Sequence, residues 1–508
     1  LENEIKLNLP KGYELRDIQK ETLQNIKNNI DKKFFILNLP TGVGKSLIAE
    51  TIALNHSATI ITKTKYLQEQ YLKEFRYDNI KGMLNYTCDK NCHYNSVECI
   101  SKRNDTCKKD CPYILARNKF KNSNKRLTNF SYFFRIPFFK NEEKTEFLII
   151  DEAHNFGSEL ISSLTITFDY YKLLDMFNGY MLPKVNVYAE QHINTIKEKI
   201  IYMEKDGKFT NNDISSFIDT LLSETFNVSD TEKAYEKLKN KDLNFFLEMK
   251  TLSEGLKKLE NKNILKYPKA NLEDVYVIQP VYPSQLKEYW IDKADKFIFM
   301  SATIGNKDYF EKELGIKNSV YIEAESPFEK DNRPIVYKPL YNFTYREKNK
   351  AIPILIKAID KIIEKHKKEN GIIHTPSFSL AWEIKNNSKY KRKIVIPNNP
   401  LEVEKYKGKG KIIVGPNFFE GVDFKDDEAK WQVIAKVPYL EMTNPYTKYR
   451  MQHDKNWYMN ETLKKLEQTI GRIVRNKDDY GITYIFDKQF ERFIPLLPKF
   501  LKEAIIYK

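Results

Sequence analysis

Cysteine is almost absent from this chain. It occurs five times in 508 residues, and Cys88, Cys92, Cys99, Cys107 and Cys111 all lie in one short segment. A disulfide framework spread over the fold is thereby excluded. Long hydrophobic runs are missing too: no stretch reaches the roughly 18 apolar residues that a membrane-crossing helix needs. The opening residues, Leu1-Glu2-Asn3-Glu4-Ile5-Lys6, lack the basic-then-apolar layout of a signal peptide. These absences point to a cytoplasmic, non-secreted protein with no membrane partner. In such a reducing compartment, clustered thiols serve as metal ligands or redox groups. No short-period repeat and no long low-complexity tract is present, so solenoid architectures are excluded.

Hydrophobic residues make up 41% and aromatics 13%, a composition that folds. The length allows about two to four domains. Lys and Arg number 84 against 69 Asp and Glu, a net charge of +15 that favours a polyanionic partner such as nucleic acid.

Short apolar runs alternate with helical stretches. The strand candidates are 34–37, 58–61, 147–150 and 297–300, then 371–374, 393–396, 411–414, 431–435 and 482–486. Helices are expected over 14–30, 45–55 and 65–76. This alternation predicts an α/β fold built on parallel sheets. Between about 158 and 285 the pattern becomes charged and helical, for example over 187–205 and 230–262, and predicts a separate helical lobe interrupting the first α/β unit.

Thr41-Gly42-Val43-Gly44-Lys45-Ser46 follows the first strand and opens a helix, the context of a phosphate-binding loop, although Leu39 stands where the strict pattern has its first glycine. Gly42 and Gly44 let backbone N–H groups turn around phosphate oxygens. Lys45 can place its ammonium between the β- and γ-phosphates, and Ser46 can ligate Mg²⁺. Asp151 ends a buried strand, where open α/β sheets bind ligands. It can hold Mg²⁺ through water while Glu152 orients or deprotonates the attacking water. Arg472 and Arg475, three apart on one helical face, are either an arginine finger or a surface ion-pair couple.

By spacing alone, Cys88-x₃-Cys92 and Cys107-x₃-Cys111 form a paired Cys₄ pattern suited to Zn²⁺, with Cys99 left over. Just after them, Arg117, Lys119, Lys121, Lys125 and Arg126 alternate with Phe120, Phe130 and Tyr132. That stretch is either a strand-contacting surface or a solvated basic hairpin whose aromatics enter the core.

In order along the chain, these motifs resemble those of the XPD/DinG-like superfamily 2 DNA helicases. Arg16-Asp17-Ile18-Gln19 is similar to the family's nucleotide-contacting Arg-x-x-Gln. Leu39 to Ser46 is similar to its phosphate loop. Thr62 to Leu67 with Gln70 resembles the motif that grips single-stranded DNA. Asn85-Tyr86-Thr87-Cys88 and Cys111-Pro112-Tyr113 resemble the borders of its iron–sulfur domain, and Thr128-Asn129-Phe130 the strand returning to the core. Asp151-Glu152-Ala153-His154, Ser301-Ala302-Thr303, Glu420 to Phe424 and Gln468 to Arg475 match the remaining motifs.

The resemblance implies two RecA-like motor domains with ATP and Mg²⁺ between them. The first would take 1–84 with 126–157 and 286–330, and the second 331–508. An iron–sulfur domain at 85–125 and a helical arch at 158–285 would interrupt the first. Gln468, Arg472 and Arg475 would reach the γ-phosphate, Asp423 would sense the nucleotide, and Ser301 and Thr303 would couple it to DNA. A [4Fe–4S] cluster would use Cys88, Cys99, Cys107 and Cys111. Spacing and resemblance therefore differ on whether Cys92 or Cys99 ligates. The implied activity is 5′-to-3′ movement on single-stranded DNA and at single-strand/duplex junctions by a monomeric motor, with DNA repair among its settings. The alternatives are a translocase that remodels protein–DNA complexes without unwinding, and a non-catalytic nucleic-acid-binding subunit with a zinc site.

Overall fold

The computed structural model describes residues 8–86, 111–135, 144–178, 183–202, 210–226, 228, 231, 233–234, 238, 240–272, 274–416, 424, 426–474 and 479–508. Along the chain, strands β1 (Phe34–Asn38), β2 (Ala58–Thr62), β3 (Asp78–Asn79), β4 (Lys125–Asn129) and β5 (Thr145–Asp151) enter one sheet. Strands β6 (Ile166–Asp169), β7 (Ile264–Pro268) and β8 (Val275–Pro280) form a small second sheet, and β9 (Ala294–Ser301) and β10 (Val320–Glu323) return to the first. A third sheet holds β11 (Ile335–Tyr341), β12 (Gly371–His374), β13 (Ile394–Val395), β14 (Ile412–Gly415), β15 (Trp431–Ile434), β16 (Ile482–Asp487) and β17 (Ile505–Tyr507).

The first sheet is parallel throughout, in the order β10-β1-β9-β5-β2-β4-β3. Its central strands read as unbroken apolar runs because helices cover both faces. Phe34 and Ile36 of β1 pack into one core and Phe35 and Leu37 into the other. In β5, Leu148 and Ile150 take the first side and Phe147 and Ile149 the second. Register brings Asn38 opposite Ser301, Asp151 opposite Met300 and Thr62 opposite Asn129, so the polar residues gather at one edge.

The third sheet is also parallel, ordered β13-β14-β12-β15-β16-β11-β17. Trp431 is fully buried in it. Gly371, its partner on β12, is the residue that fits there, since a Cβ would run into the indole.

The lobe between β5 and β9 has its own core, from Phe168 through Ile193, Ile218 and Phe246 to Ile278. Helices Pro183–Tyr202, Asn211–Phe226 and Asn240–Lys258 build most of it, as expected. It also carries the antiparallel sheet β6-β8-β7, which the expectation of a mostly helical lobe did not specify. The strands were hidden because β7 is only half-buried, carries Lys266 and ends on Pro268, so it lacks an apolar run. Among the described residues no helix is long and apolar enough to cross a membrane.

One buried contact ties the two large sheets together. Arg450, on helix Pro445–His453 beside the third sheet, is fully buried and donates from Nη2 to both oxygens of Glu313 at 2.9 and 3.1 Å. Its Nη1 donates to the Val281 carbonyl at 2.8 Å and the Tyr446 hydroxyl at 3.0 Å. The rings of Trp457 and Tyr282 lie 4.7 and 4.9 Å from the guanidinium, close enough for cation–π attraction. Beside this clamp, a cavity of about 540 Å³ lies between the lobe and both sheets, bordered by His154, Gln279, Tyr309, Tyr446, Trp457 and Lys464.

Candidate nucleotide site and interdomain contact

The loop after β1 turns on Gly42 and Gly44, both left-handed with φ of 83° and 84°. Neither tolerates a side chain. A Cβ on Gly42 would strike the Phe328 ring, and one on Gly44 would strike Gln19 Nε2. Arg16 and Gln19 hold the loop from behind. Arg16 Nη1 donates to the Gly42 carbonyl at 2.7 Å, and Gln19 Nε2 to the Val43 carbonyl at 2.8 Å. The Gln19 side chain also accepts from the Arg16 backbone at 2.8 Å, so the two are locked together. With its carbonyls occupied on the outside, the loop leaves its N–H groups free to turn inward.

Helix Lys45–Asn55 begins at Gly44, which places its positive end at the loop. Lys45 Nζ donates to the Leu39 carbonyl at 3.2 Å. Thr41 and Ser46 are half-buried beside it.

Asp151 sits at the end of β5, 7% exposed. Its oxygens accept from Tyr71 Oη at 3.1 Å and from the Glu152 backbone at 3.0 Å. Burial, and then the charge of Glu152, push its carboxyl above the usual range. Glu152 goes the other way. Burial opposes its charge, but the His154 hydrogen bond and the charges of His154, Lys45 and Arg472 outweigh that and pull it down. Two adjacent carboxyls thus hold different proton affinities, one suited to receiving a cation and one ionised at neutral pH. Glu152 adopts φ 54°, ψ 45°, a left-handed conformation that costs roughly 1–3 kcal/mol in a non-glycine residue.

His154 links this edge to the other half of the molecule. Its Nε2 faces the amides of Asn155, at 2.6 Å, and Gln468. Its Nδ1 lies 2.8 Å from Ser301 Oγ and 3.3 Å from a Glu152 carboxylate oxygen. Ser301 Oγ in turn accepts from the Thr303 backbone at 3.2 Å. Gln468 lies near the end of helix Lys455–Ile470, so the chain Gln468–His154–Ser301–Thr303 crosses between the sheets. The neighbouring Glu467 is buried without a hydrogen-bond partner for either oxygen, and burial pushes its carboxyl up to about 8. Arg472 follows on the same segment, half-buried, close enough to Glu152 to lower its proton affinity.

Residues 356–503 match the family described as Helicase C-terminal domain, and residues 12–182 match the Type III restriction enzyme res subunit. A probable ATP-dependent helicase of Methanocaldococcus jannaschii is 25% identical over 347 residues, covering 60% of this chain and 50% of its own. The chain therefore spans about half of that relative's length. The ATP-dependent DNA helicase YoaA of Haemophilus influenzae is 22% identical across 98% of this chain and 95% of its own length. Among solved structures, an XPD helicase matches with a TM-score of 0.63 at 17% identity, over 98% of this chain and all of that one. The S. tokodaii Xpd4 structure matches with 0.65, also at 17%, over 97% of this chain and all of its own.

In sequence and in fold the chain is similar to the XPD/DinG-like superfamily 2 DNA helicases. Its two large sheets are the two RecA-like motor folds of that family. Of the residues singled out in this XPD/DinG-like sequence, the structure gathers Arg16, Gln19, Gly42, Val43 and Gly44 by hydrogen bonds around the loop. It sets Lys45, Asp151, Glu152 and Arg472 within electrostatic reach of one another. Arg475 and Asp423 lie outside the described residues, as do Cys88, Cys92, Cys99 and Cys107. Cys111 is described: half-buried, it precedes helix Pro112–Asn122. Among the described residues no group of three or more metal-type side chains converges.

Of the two readings of the basic–aromatic stretch, the core reading holds for its rings. Phe120, Phe130 and Tyr132 are buried under the first sheet, and Arg126 is itself buried, donating to the Ser123 carbonyl at 2.6 Å. Tyr71 and Phe328 were not foreseen. Tyr71 is one helical tyrosine among many, and Phe328 lies in a connecting segment with no motif.

Proposed function

We propose that this chain is an ATP-driven DNA helicase that moves 5′ to 3′ on single-stranded DNA and carries a [4Fe–4S] cluster in its cysteine segment. The division into a split first motor domain, a cluster domain, an arch and a second motor domain is part of the same proposal. The observation that carries it is the contact of Gln468 with His154, which joins the motif that contains the acidic pair to a helix beside the third sheet.

ATP would lie on the loop of Gly42 to Ser46. The donors suit Mg²⁺: a serine hydroxyl in the first helical turn and a buried carboxylate at a strand end, Ser46 and Asp151. Bound Mg²⁺ neutralises phosphate charge. Lys45 contributes a second cation there. Glu152, ionised at neutral pH, orients the attacking water and accepts its proton. Arg472 and Arg475 stabilise charge on the γ-phosphoryl from the other half, with Asp423 beside the nucleotide. Loss of the γ-phosphate changes what Glu152 and Arg472 face. Because His154 binds both Ser301 and Gln468, that change reaches Thr303 and the third sheet together.

The test is ATP turnover with and without single-stranded DNA, followed by strand displacement. Turnover should rise on adding single strands, and duplexes with a 5′ overhang should open while those with a 3′ overhang stay closed. Opening from the 3′ overhang alone would reverse the polarity. Roadblock removal without strand separation would favour the translocase reading.

For the cluster, Cys88, Cys99, Cys107 and Cys111 are the ligands, with Cys92 the substitute for Cys99. The two ends of the cysteine segment meet: the rings of Tyr86 and Tyr113 lie 5.6 Å apart, edge to face. Anaerobically purified protein should be brown and contain iron with acid-labile sulfide. A colourless protein with one equivalent of zinc would replace the cluster by a Cys₄ zinc site.

A further inference from the structure

We infer that Glu467 is a positioning residue that takes up one proton from solvent each time the two motor halves close, an inference that rests on the ATP-driven cycle proposed above. Glu467 lies on helix Lys455–Ile470, which Leu463, Leu466 and Ile470 anchor in the core beside the third sheet. The next residue, Gln468, touches His154 of the first half. Glu467 looks the same way, toward the edge strand β10 of the first sheet. There Glu323 bears on its carboxyl, and Glu467 in turn bears on the Tyr321 phenol. Glu467 is 5% exposed, and among the described residues neither of its oxygens has a hydrogen-bond partner.

An ionised carboxylate would be stranded there. Among the described residues the cation that bears on it is Lys464, one turn earlier, and its Nζ is held by Glu461 at 2.6 Å. Glu323 carries a like charge, and its Oε1 accepts from Asn38 Nδ2 at 3.2 Å. Burial, and then Glu323, push the Tyr321 phenol upward, so it stays neutral. A buried acid without donors gives up its charge instead. Burial raises the Glu467 carboxyl to about 8, with Lys464 opposing the rise and Glu323 adding to it. When the halves part, the side chain meets water and returns to the ordinary 4.5. Between those values the closed form holds a proton that the open form lacks. Glu467 therefore leaves closure unopposed below 4.5, weakens it as pH rises, and opposes it fully above about 8. Glu467 and Gln468 are consecutive, so the closure that buries one brings the other to His154 and Arg472 toward Glu152.

Calorimetric titration of the full chain with AMP-PNP and Mg²⁺, in two buffers of different ionisation heat, counts the protons taken up. Near pH 7 the wild type should take up about one proton more than Glu467→Gln, and near pH 9 that difference should almost vanish. In turnover with single-stranded DNA, the wild-type KM for ATP divided by that of Glu467→Gln should rise about tenfold from pH 6.5 to pH 8, then level off. Dividing by the variant cancels the titration of the nucleotide and of Asp151. Glu323→Gln removes the facing like charge, so its uptake near pH 8 should fall below that of the wild type. Equal uptake in wild type and Glu467→Gln, with both binding AMP-PNP, would overturn the proposal and leave the ATP site standing. A KM ratio that does not change with pH would do the same. Were Glu467→Gln not to fold, unchanged uptake near pH 8 in Glu323→Gln would overturn it. Failure of the wild type to bind AMP-PNP would count against the ATP-driven cycle itself, and the proposal would fall with it.

Discussion

Lys45→Ala should remove ATP turnover while leaving the fold and single-strand binding in place. Lys45 makes one hydrogen bond, from Nζ to the Leu39 carbonyl, and its side chain fills no core, so its loss costs little stability. Its electrostatic role is larger. It lowers the proton affinity of both Asp151 and Glu152, so it is a cation facing the acidic pair. Without it, the negative charge gathered around the phosphates loses one fixed counter-charge that needs no reorganisation during reaction. Removing one such preorganised contact lowers turnover by about a hundred- to a thousandfold. Thermal melting should stay near wild type, and labelled oligo(dT) should bind within a few-fold of wild type, because Lys45 lies at the nucleotide edge. Turnover within tenfold of wild type would refute the phosphate-loop assignment. A lowered melting temperature together with lost DNA binding would mean that the lysine is structural.

The nucleotide edge was legible in the sequence because its grammar is local. Phe34 to Leu37 is apolar on both faces, glycines follow, and a helix opens at Lys45 and closes at Asn55, as the residues predict. Asp151 is marked in the same way by the four apolar residues before it. The contacts that make these pieces a site are not local. Tyr71 and Asp151 are 80 residues apart and His154 and Gln468 are 314 apart, and neither periodicity nor spacing encodes such pairings. Strand β11 was missed for another reason. Lys338 and Pro339 break its apolar run, and its pairing with β16 slips between Tyr337 and Tyr341. The stretch from Arg117 to Tyr132 left two readings open because it passes from helix to strand to helix, so no single period tells which side chains face inward.

Arg450 carries no motif at all, yet its replacement should have the largest effect on stability. In Arg450→Met the Glu313 carboxylate, 15% exposed, keeps its charge, loses both hydrogen bonds from Nη2 and keeps the one from Tyr309 Oη at 3.2 Å. Breaking a buried pair from one side costs about 3–5 kcal/mol, mostly from the charge left behind. The aromatic wall of Trp457 and Tyr282 would still cover the methionine, so little of the loss comes from a cavity. Val281 would keep one donor, because Tyr446 Oη reaches its carbonyl at 3.0 Å. Removing both charges, as in Arg450→Met with Glu313→Leu, should therefore recover most of the stability, since no unpaired charge remains. Urea unfolding of the wild type, the two single variants and the double variant gives the coupling directly, and it should exceed about 2 kcal/mol. Additive losses would mean that the pair is not coupled. If the double variant is stable but its ssDNA-stimulated turnover falls, the clamp has a second role. It would then be holding the helix of Glu313, which follows Ser301 and Thr303, at a fixed distance from the helix that presents Gln468.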